Sequence, residues 1–119
     1  MKEHQLQKSI IDYIKLQYPE ALYCASAGGL RTSIIQAKRM KSTGYVKGFP
    51  DIAILEPRLQ TNNKYYCGLF LEVKTINGRP TKDQLWWREQ LNQRWYVSEI
   101  VYSFDEAKII LDKYLNNQL

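Results

Sequence analysis

The sequence predicts an α/β domain with a mixed central sheet of about four strands flanked by helices. Three observations lead there. Segments with helical spacing alternate with short apolar runs. Two of those runs follow one another with no helix between them. The breaks carry proline, glycine or asparagine. The order along the chain is α-β-α-β-β-α-β-α, and a hairpin in the middle of such an order argues for a mixed rather than an all-parallel sheet.

From Glu3 to Tyr18, residues Leu6, Ile10, Ile11, Tyr13, Ile14 and Tyr18 recur at three- and four-residue steps, which predicts an amphipathic helix; Pro19 ends it, because the residue before proline avoids helical geometry. Ala21 to Ala25 is a short strand, broken by Gly28-Gly29. Thr32 or Ser33 caps a second helix that carries Ile34, Ile35, Ala37 and Met40 to about Ser42. A loop, Gly44 to Pro50, leads into a strand from Asp51 to Leu55. After a polar stretch in which Asn62-Asn63 suits a tight turn, a long strand runs from Tyr65 to Thr75 and pairs back as a hairpin. Asn77-Gly78 and Pro80 mark a loop. Thr81 caps a helix to about Arg94, Trp95 to Tyr102 is the fourth strand, and Asp105 to Leu115 the last helix.

The 119 residues suit one domain, 1–119, and a chain this long hides roughly 65% of its unfolded surface, enough for a core. Hydrophobic residues at 45%, aromatics at 13% and charged residues at 24% exclude a mainly disordered chain. No run approaches the ~20 apolar residues that span a bilayer, and the polar start Met1-Lys2-Glu3-His4-Gln5 has no apolar stretch behind it, so neither a membrane span nor a secretory signal is expected. Cys24 and Cys67 form no CxxC pair and read as reduced, partly buried thiols of a cytoplasmic protein. With His4 as the one histidine, a Cys/His zinc site cannot be assembled, and any metal must be held mainly by oxygen. The net charge of +5 favours polyanionic partners.

The informative chemistry lies in Pro50-Asp51 and Glu72-Val73-Lys74. The two-residue period of a strand puts Glu72 and Lys74 on one face, with Leu71 and Val73 on the other. Burying a carboxylate or an ammonium costs several kcal/mol unless it is paired or metal-bound. Asp51 opens the preceding strand, so a hairpin can bring it beside Glu72. Carboxylates within about 4 Å repel and raise each other's pKa, and a divalent cation relieves that repulsion. Lys74 adds a positive charge for a phosphate or a metal-bound water. This set suits phosphodiester hydrolysis. A Glu72–Lys74 ion pair on an edge strand is the other reading of the same spacing.

Taken together, Gly48-Phe49-Pro50-Asp51, Glu72-Val73-Lys74 and Gln84 resemble the PD-(D/E)XK nuclease superfamily, and within it the VRR-NUC (virus-type replication-repair nuclease) family. Glu3 and Gln7 on the first helix and the segment Thr81-Lys82-Asp83-Gln84 opening the third are similar to that family too; the likeness spans about Glu3 to Phe104. It implies a nuclease-like fold of the stand-alone kind found in phages and bacteria, acting in the cytoplasm of a bacterial or phage-infected cell. It implies Asp51 and Glu72 as ligands of Mg²⁺ or Mn²⁺ with the Val73 carbonyl as a third, Lys74 as the group orienting water or stabilising charge, Gln84 as support from the helix, and Glu3 near the metal.

The expected activity is structure-specific endonuclease cleavage of branched DNA such as Holliday junctions. A nicking or restriction-type nuclease, or a non-catalytic DNA-binding module, is the alternative. Lys38, Arg39, Lys41 and Lys47 before the motif, and Arg79 and Lys82 after it, are expected to contact phosphates; a solvated face is the plainer reading. Trp86, Trp87 and Trp95 read as core or interface before base-stacking groups. Trp86 and Trp87 are adjacent and cannot share one helix face, so one packs on the sheet and the other meets a partner. Two strands of a branch need two sites, which a twofold homodimer supplies, with the last helix and one of these tryptophans at its interface.

Overall fold

The computed structural model describes residues 2–26 and 33–119, so Gly28-Gly29 and Thr32 lie outside the described residues. The elements are α1 (Glu3–Gln17), β1 (Tyr23–Ala25), α2 (Ile34–Ser42), β2 (Ile52–Ile54), β3 (Arg58–Leu59), β4 (Tyr65–Tyr66), β5 (Leu69–Val73), α3 (Lys82–Asn92), β6 (Val97–Val101) and α4 (Phe104–Leu115). The main sheet runs β1-β2-β5-β6, antiparallel except for the parallel β5–β6 pair. The parallel pair follows from α3, which carries the chain from the end of β5 back to the start of β6. This is the predicted mixed sheet of four strands. No described helix is long and apolar enough to cross a membrane.

One face of the sheet is the core. Ile52, Ile54, Leu69, Leu71, Val73, Val97 and Val101 meet Leu6, Ile10 and Ile14 of α1 and Ala107, Leu111, Tyr114 and Leu115 of α4. Both helices are held there by apolar residues at three- and four-residue steps. Asp112 of α4 locks them together: it accepts hydrogen bonds from Tyr13 Oη at 2.6 Å, from Tyr18 Oη, and from Lys108 Nζ at 2.9 Å. Desolvation pushes this carboxyl up, but the three donors outweigh it and hold Asp112 below the usual carboxylate range. Its contribution to stability is therefore present above the unfolded pKa and fades as pH falls through the folded one. Asp112→Ala is expected to cost about 2 kcal/mol at neutral pH, and urea melts repeated in acid should show that difference shrinking.

Four expectations need correction. The run Tyr65 to Thr75 is two strands, because the chain breaks at Cys67-Gly68; a Cβ on Gly68 would stand 2.9 Å from the Ile54 carbonyl oxygen. A small hairpin, β3–β4, fills the connection between β2 and β5. Its turn is the predicted Asn62-Asn63, with Asn63 at φ 64° and Asn62 Oδ1 accepting from Lys64 N–H. The buried Gln60 fastens this hairpin to the end of the chain through the Tyr114 carbonyl and the Leu119 amide. Cys24 and Cys67 are free as expected but exposed, not partly buried. The fourth strand begins at Val97, two residues late, since Trp95 turns the chain at φ 68°. Finally, α2 starts at its Ser33 cap, yet none of its residues is buried, and Ile34 and Ile35 are exposed.

Candidate active site

Strand register brings the acidic residues together. β2 and β5 pair Ile52 with Leu71, and the same register one residue on sets Asp51 opposite Glu72. Cross-strand neighbours of this kind have Cβ atoms about 4.5–5.5 Å apart. Asp51 Oδ2 accepts the Val73 N–H at 2.8 Å, which fixes the carboxyl at the end of β5. Leu69, Leu71 and Val73 face the core, so Glu72 and Lys74 share the opposite face with Phe70. Both are buried, Glu72 to 6% exposure and Lys74 to 9%. That excludes a solvated ion pair on an edge strand: β5 is an inner strand.

The turn before Asp51 is built to hold it. Gly48 takes φ 95°, which side-chain-bearing residues rarely adopt, and a Cβ there would stand 2.7 Å from the Asp83 backbone of α3. The next residue, Phe49, stacks edge-on against Trp87 and Phe70, with centroids 5.0 and 5.6 Å away. Trp87 Nε1 donates to the Lys47 carbonyl at 3.0 Å. The Gly-Phe-Pro-Asp segment is thus clamped between α3 and the sheet. Gly48→Ala is expected to destabilise the chain by about 2–3 kcal/mol and to displace Asp51. A thermal melt lowered by several degrees checks the first, and reduced affinity for Mn²⁺ the second.

The electrostatics are those of a charged pair short of counter-charge. Burial, then the adjacent Asp51 charge, pushes Glu72 up to about 8, with Lys74 pulling it partly back. Burial also raises Asp51, against the Val73 amide and Lys74. Glu72 Oε2 is buried with no hydrogen-bond partner. An orphaned carboxylate oxygen beside a second carboxylate is a donor set that fits a hard divalent cation. Among the described residues no third acidic, histidine or cysteine side chain joins the pair, so a cation's remaining ligands fall to backbone carbonyls and water. The Val73 peptide, already bonded to Asp51, is a backbone candidate.

The other expected site residues are less closely gathered. Gln84 Oε1 accepts the Thr81 N–H at 2.9 Å while Thr81 Oγ1 accepts the Gln84 N–H, so that oxygen closes a capping box. Glu3 is exposed on the first turn of α1 and bonds to none of Asp51, Glu72 or Lys74. Gln7 is half-buried beside His4 and Ile11. Lys38, Arg39, Lys41 and Lys47 are exposed on α2 and the following loop, Arg79 is exposed ahead of α3, and Lys82 is exposed as its first residue. Trp87 packs on Phe49 rather than directly on the sheet, and Trp86 is half exposed. Sequence reasoning missed Ser26. The β1–β2 register continued past Ala25 sets it opposite Asp51, its N–H reaches the Asp51 carbonyl at 2.8 Å, and its Oγ is buried without a partner. A serine after a three-residue strand carries no pattern that would have singled it out.

No protein-family model matches the sequence, and no curated protein does. Solved structures do. One described as "VRR_NUC domain protein" is similar at a TM-score of 0.82 and 21% identity, over 99% of this chain and 91% of that one. Another, described as "VRR_NUC domain", is similar at a TM-score of 0.60 and 23% identity, over 96% of this chain and 98% of that one. The chain shares the α/β fold of these two VRR_NUC domain structures.

Proposed function

We propose that this chain is a divalent-cation-dependent endonuclease that hydrolyses phosphodiester bonds of branched DNA, such as Holliday junctions, with Mg²⁺ or Mn²⁺ held by Asp51, Glu72 and the Val73 carbonyl. The observation that carries this reading is the buried Asp51–Glu72 pair with its orphaned Oε2 beside Lys74. When bound, such a cation would supply Lewis-acid polarisation of the phosphate and a more acidic water. The chain's own part is to orient and to balance charge. Asp51 is held by the Val73 amide, which fixes its carboxyl beside Glu72. Lys74, buried on the same face, offers an ammonium to the phosphate oxygens or to the attacking water. Gln84 supports the site from α3 through its side-chain Nε2, since its oxygen is held by the cap.

Lys38, Arg39, Lys41, Lys47, Arg79 and Lys82 supply the phosphate contacts. Each phosphate neutralised contributes about −0.9 to the slope of log affinity against log salt, so a salt titration of binding should fall steeply, by a slope of several units. The chain works as a homodimer, because one domain carries one Asp51–Glu72 pair and a branch presents two strands. The interface draws on Ile109 of α4 and on Leu85 and Trp86 of α3, all three exposed apolar residues. Light scattering reports that mass directly.

The test is a cleavage panel of duplex, flap, fork and four-way DNA, with Mg²⁺ and with EDTA. Cutting of branched DNA that needs Mg²⁺ is the expected result. Cutting of one strand of plain duplex would favour a nicking or restriction-type enzyme, and binding without cutting a non-catalytic module.

A further inference from the structure

The turn that carries Asp51 also walls a cavity. It holds about 350 Å³ and is lined by Met40 and Val46, by the rings of Tyr45, Phe49 and Trp87, and by Ser26. It lies close against the carboxylate pair: Ser26 bonds through its N–H to the Asp51 carbonyl, and Phe49 is two residues ahead of Asp51. Its lining is mostly apolar and aromatic, yet Ser26 brings a buried hydroxyl with no hydrogen-bond partner. Exposed cations adjoin its lining residues along the chain. Met40 stands between Arg39 and Lys41, and Val46 precedes Lys47, all three cations exposed. A larger open groove of about 730 Å³, near Trp95 and Lys113, includes none of these lining residues.

An apolar side chain or an acyl chain would fill the aromatic walls and leave both the hydroxyl and the cations unmatched. A planar ring with a polar edge and an anionic group on either side matches all three features. We propose that this cavity receives an unpaired nucleobase of the strand being cut, next to the phosphate that lies over Asp51 and Glu72; the proposal rests on the nuclease reading above. The base stacks against the Phe49 and Trp87 rings, Ser26 Oγ bonds to its edge or sugar, and Arg39, Lys41 and Lys47 hold the flanking phosphates. A base inside a duplex must first be unstacked and unpaired to enter, whereas a base at a branch is already free. Preference for branched DNA is then set beside the chemistry itself.

The experiment places a single abasic (tetrahydrofuran) residue at each of the positions flanking the branch of flap and four-way DNA. Binding is measured in Ca²⁺ and cutting in Mg²⁺. At one position, the intact base should improve both binding and cutting by about tenfold over the abasic residue, the scale of one base stacked on aromatic side chains. Met40→Trp, which fills the cavity, should bring that ratio to one by weakening only the intact DNA. A ratio of one at every position in the wild-type chain overturns the cavity proposal, whether or not cutting occurs, and needs no variant to fold. A ratio that persists in Met40→Trp overturns it as well. A tenfold binding ratio without any cutting supports the cavity and sinks the nuclease reading; cutting with a ratio of one does the reverse.

Discussion

Glu72→Gln is expected to lose at least about 10³-fold in the cutting of branched DNA, which is ~4 kcal/mol of transition-state stabilisation. The amide has the shape of the carboxyl, so packing on β5 survives. What goes is the charge on which the proposed cation site depends. DNA binding should persist or tighten, since one negative group near the phosphate is removed. Circular dichroism and melting would show the variant folded, and a rate measured at saturating protein would isolate the chemical step. A variant that cuts within tenfold of wild type would mean Glu72 is not a ligand.

The second large effect is on stability, and its sign follows from the raised pKa. Folded Glu72 titrates near 8 instead of its ordinary 4.5, because burial and Asp51 disfavour its charge. The folded chain therefore holds a proton that the unfolded chain has released. Stability from this group is fully present below about pH 4.5 and is lost as pH rises through about 8. Asp51, raised as well, acts in the same direction. Without cations, the wild-type chain should weaken by on the order of 3 kcal/mol between pH 5 and pH 8 relative to Glu72→Gln, which has no proton to lose. Added Mn²⁺ should restore the wild type more at pH 8 than at pH 5, because at low pH it must displace the proton. Thermal melts of both chains, across pH and with or without Mn²⁺, read all of this. Identical pH profiles for the two chains would show that Glu72 is not strained in the fold.

The parts of this molecule that were legible in its sequence are those written in periodicity and caps. α1 shows its buried stripe as Leu6, Ile10 and Ile14, and both Ser33 and Thr81 cap the helices they precede. Asp51 and Glu72 were legible together because hairpin pairing and two-residue alternation are local rules. The β3–β4 hairpin was not, since strands of two residues have no period to read. Nor was the break at Gly68, where the alternation Cys67, Leu69, Leu71, Val73 runs on through a residue that the Ile54 carbonyl forbids from carrying a side chain. Thr81-x-x-Gln84 satisfies two patterns at once, a capping box and a family motif, and geometry gives the oxygen of Gln84 to the cap. Ser26 depends on β1 pairing with β2, a contact fixed by tertiary structure and invisible in the run of residues around it.

The measurement that bears most directly on the Asp51–Glu72 pair is a calorimetric titration of Mn²⁺ into the chain at pH 7.5, repeated in buffers of different ionisation enthalpy. The pair should bind one Mn²⁺ per chain and release a substantial fraction of one proton as Glu72 gives it up, with Glu72→Gln abolishing both the binding and the proton release. Binding of equal strength in Glu72→Gln, or no binding to the wild type at millimolar Mn²⁺, would contradict the assignment of these two carboxylates as the cation site.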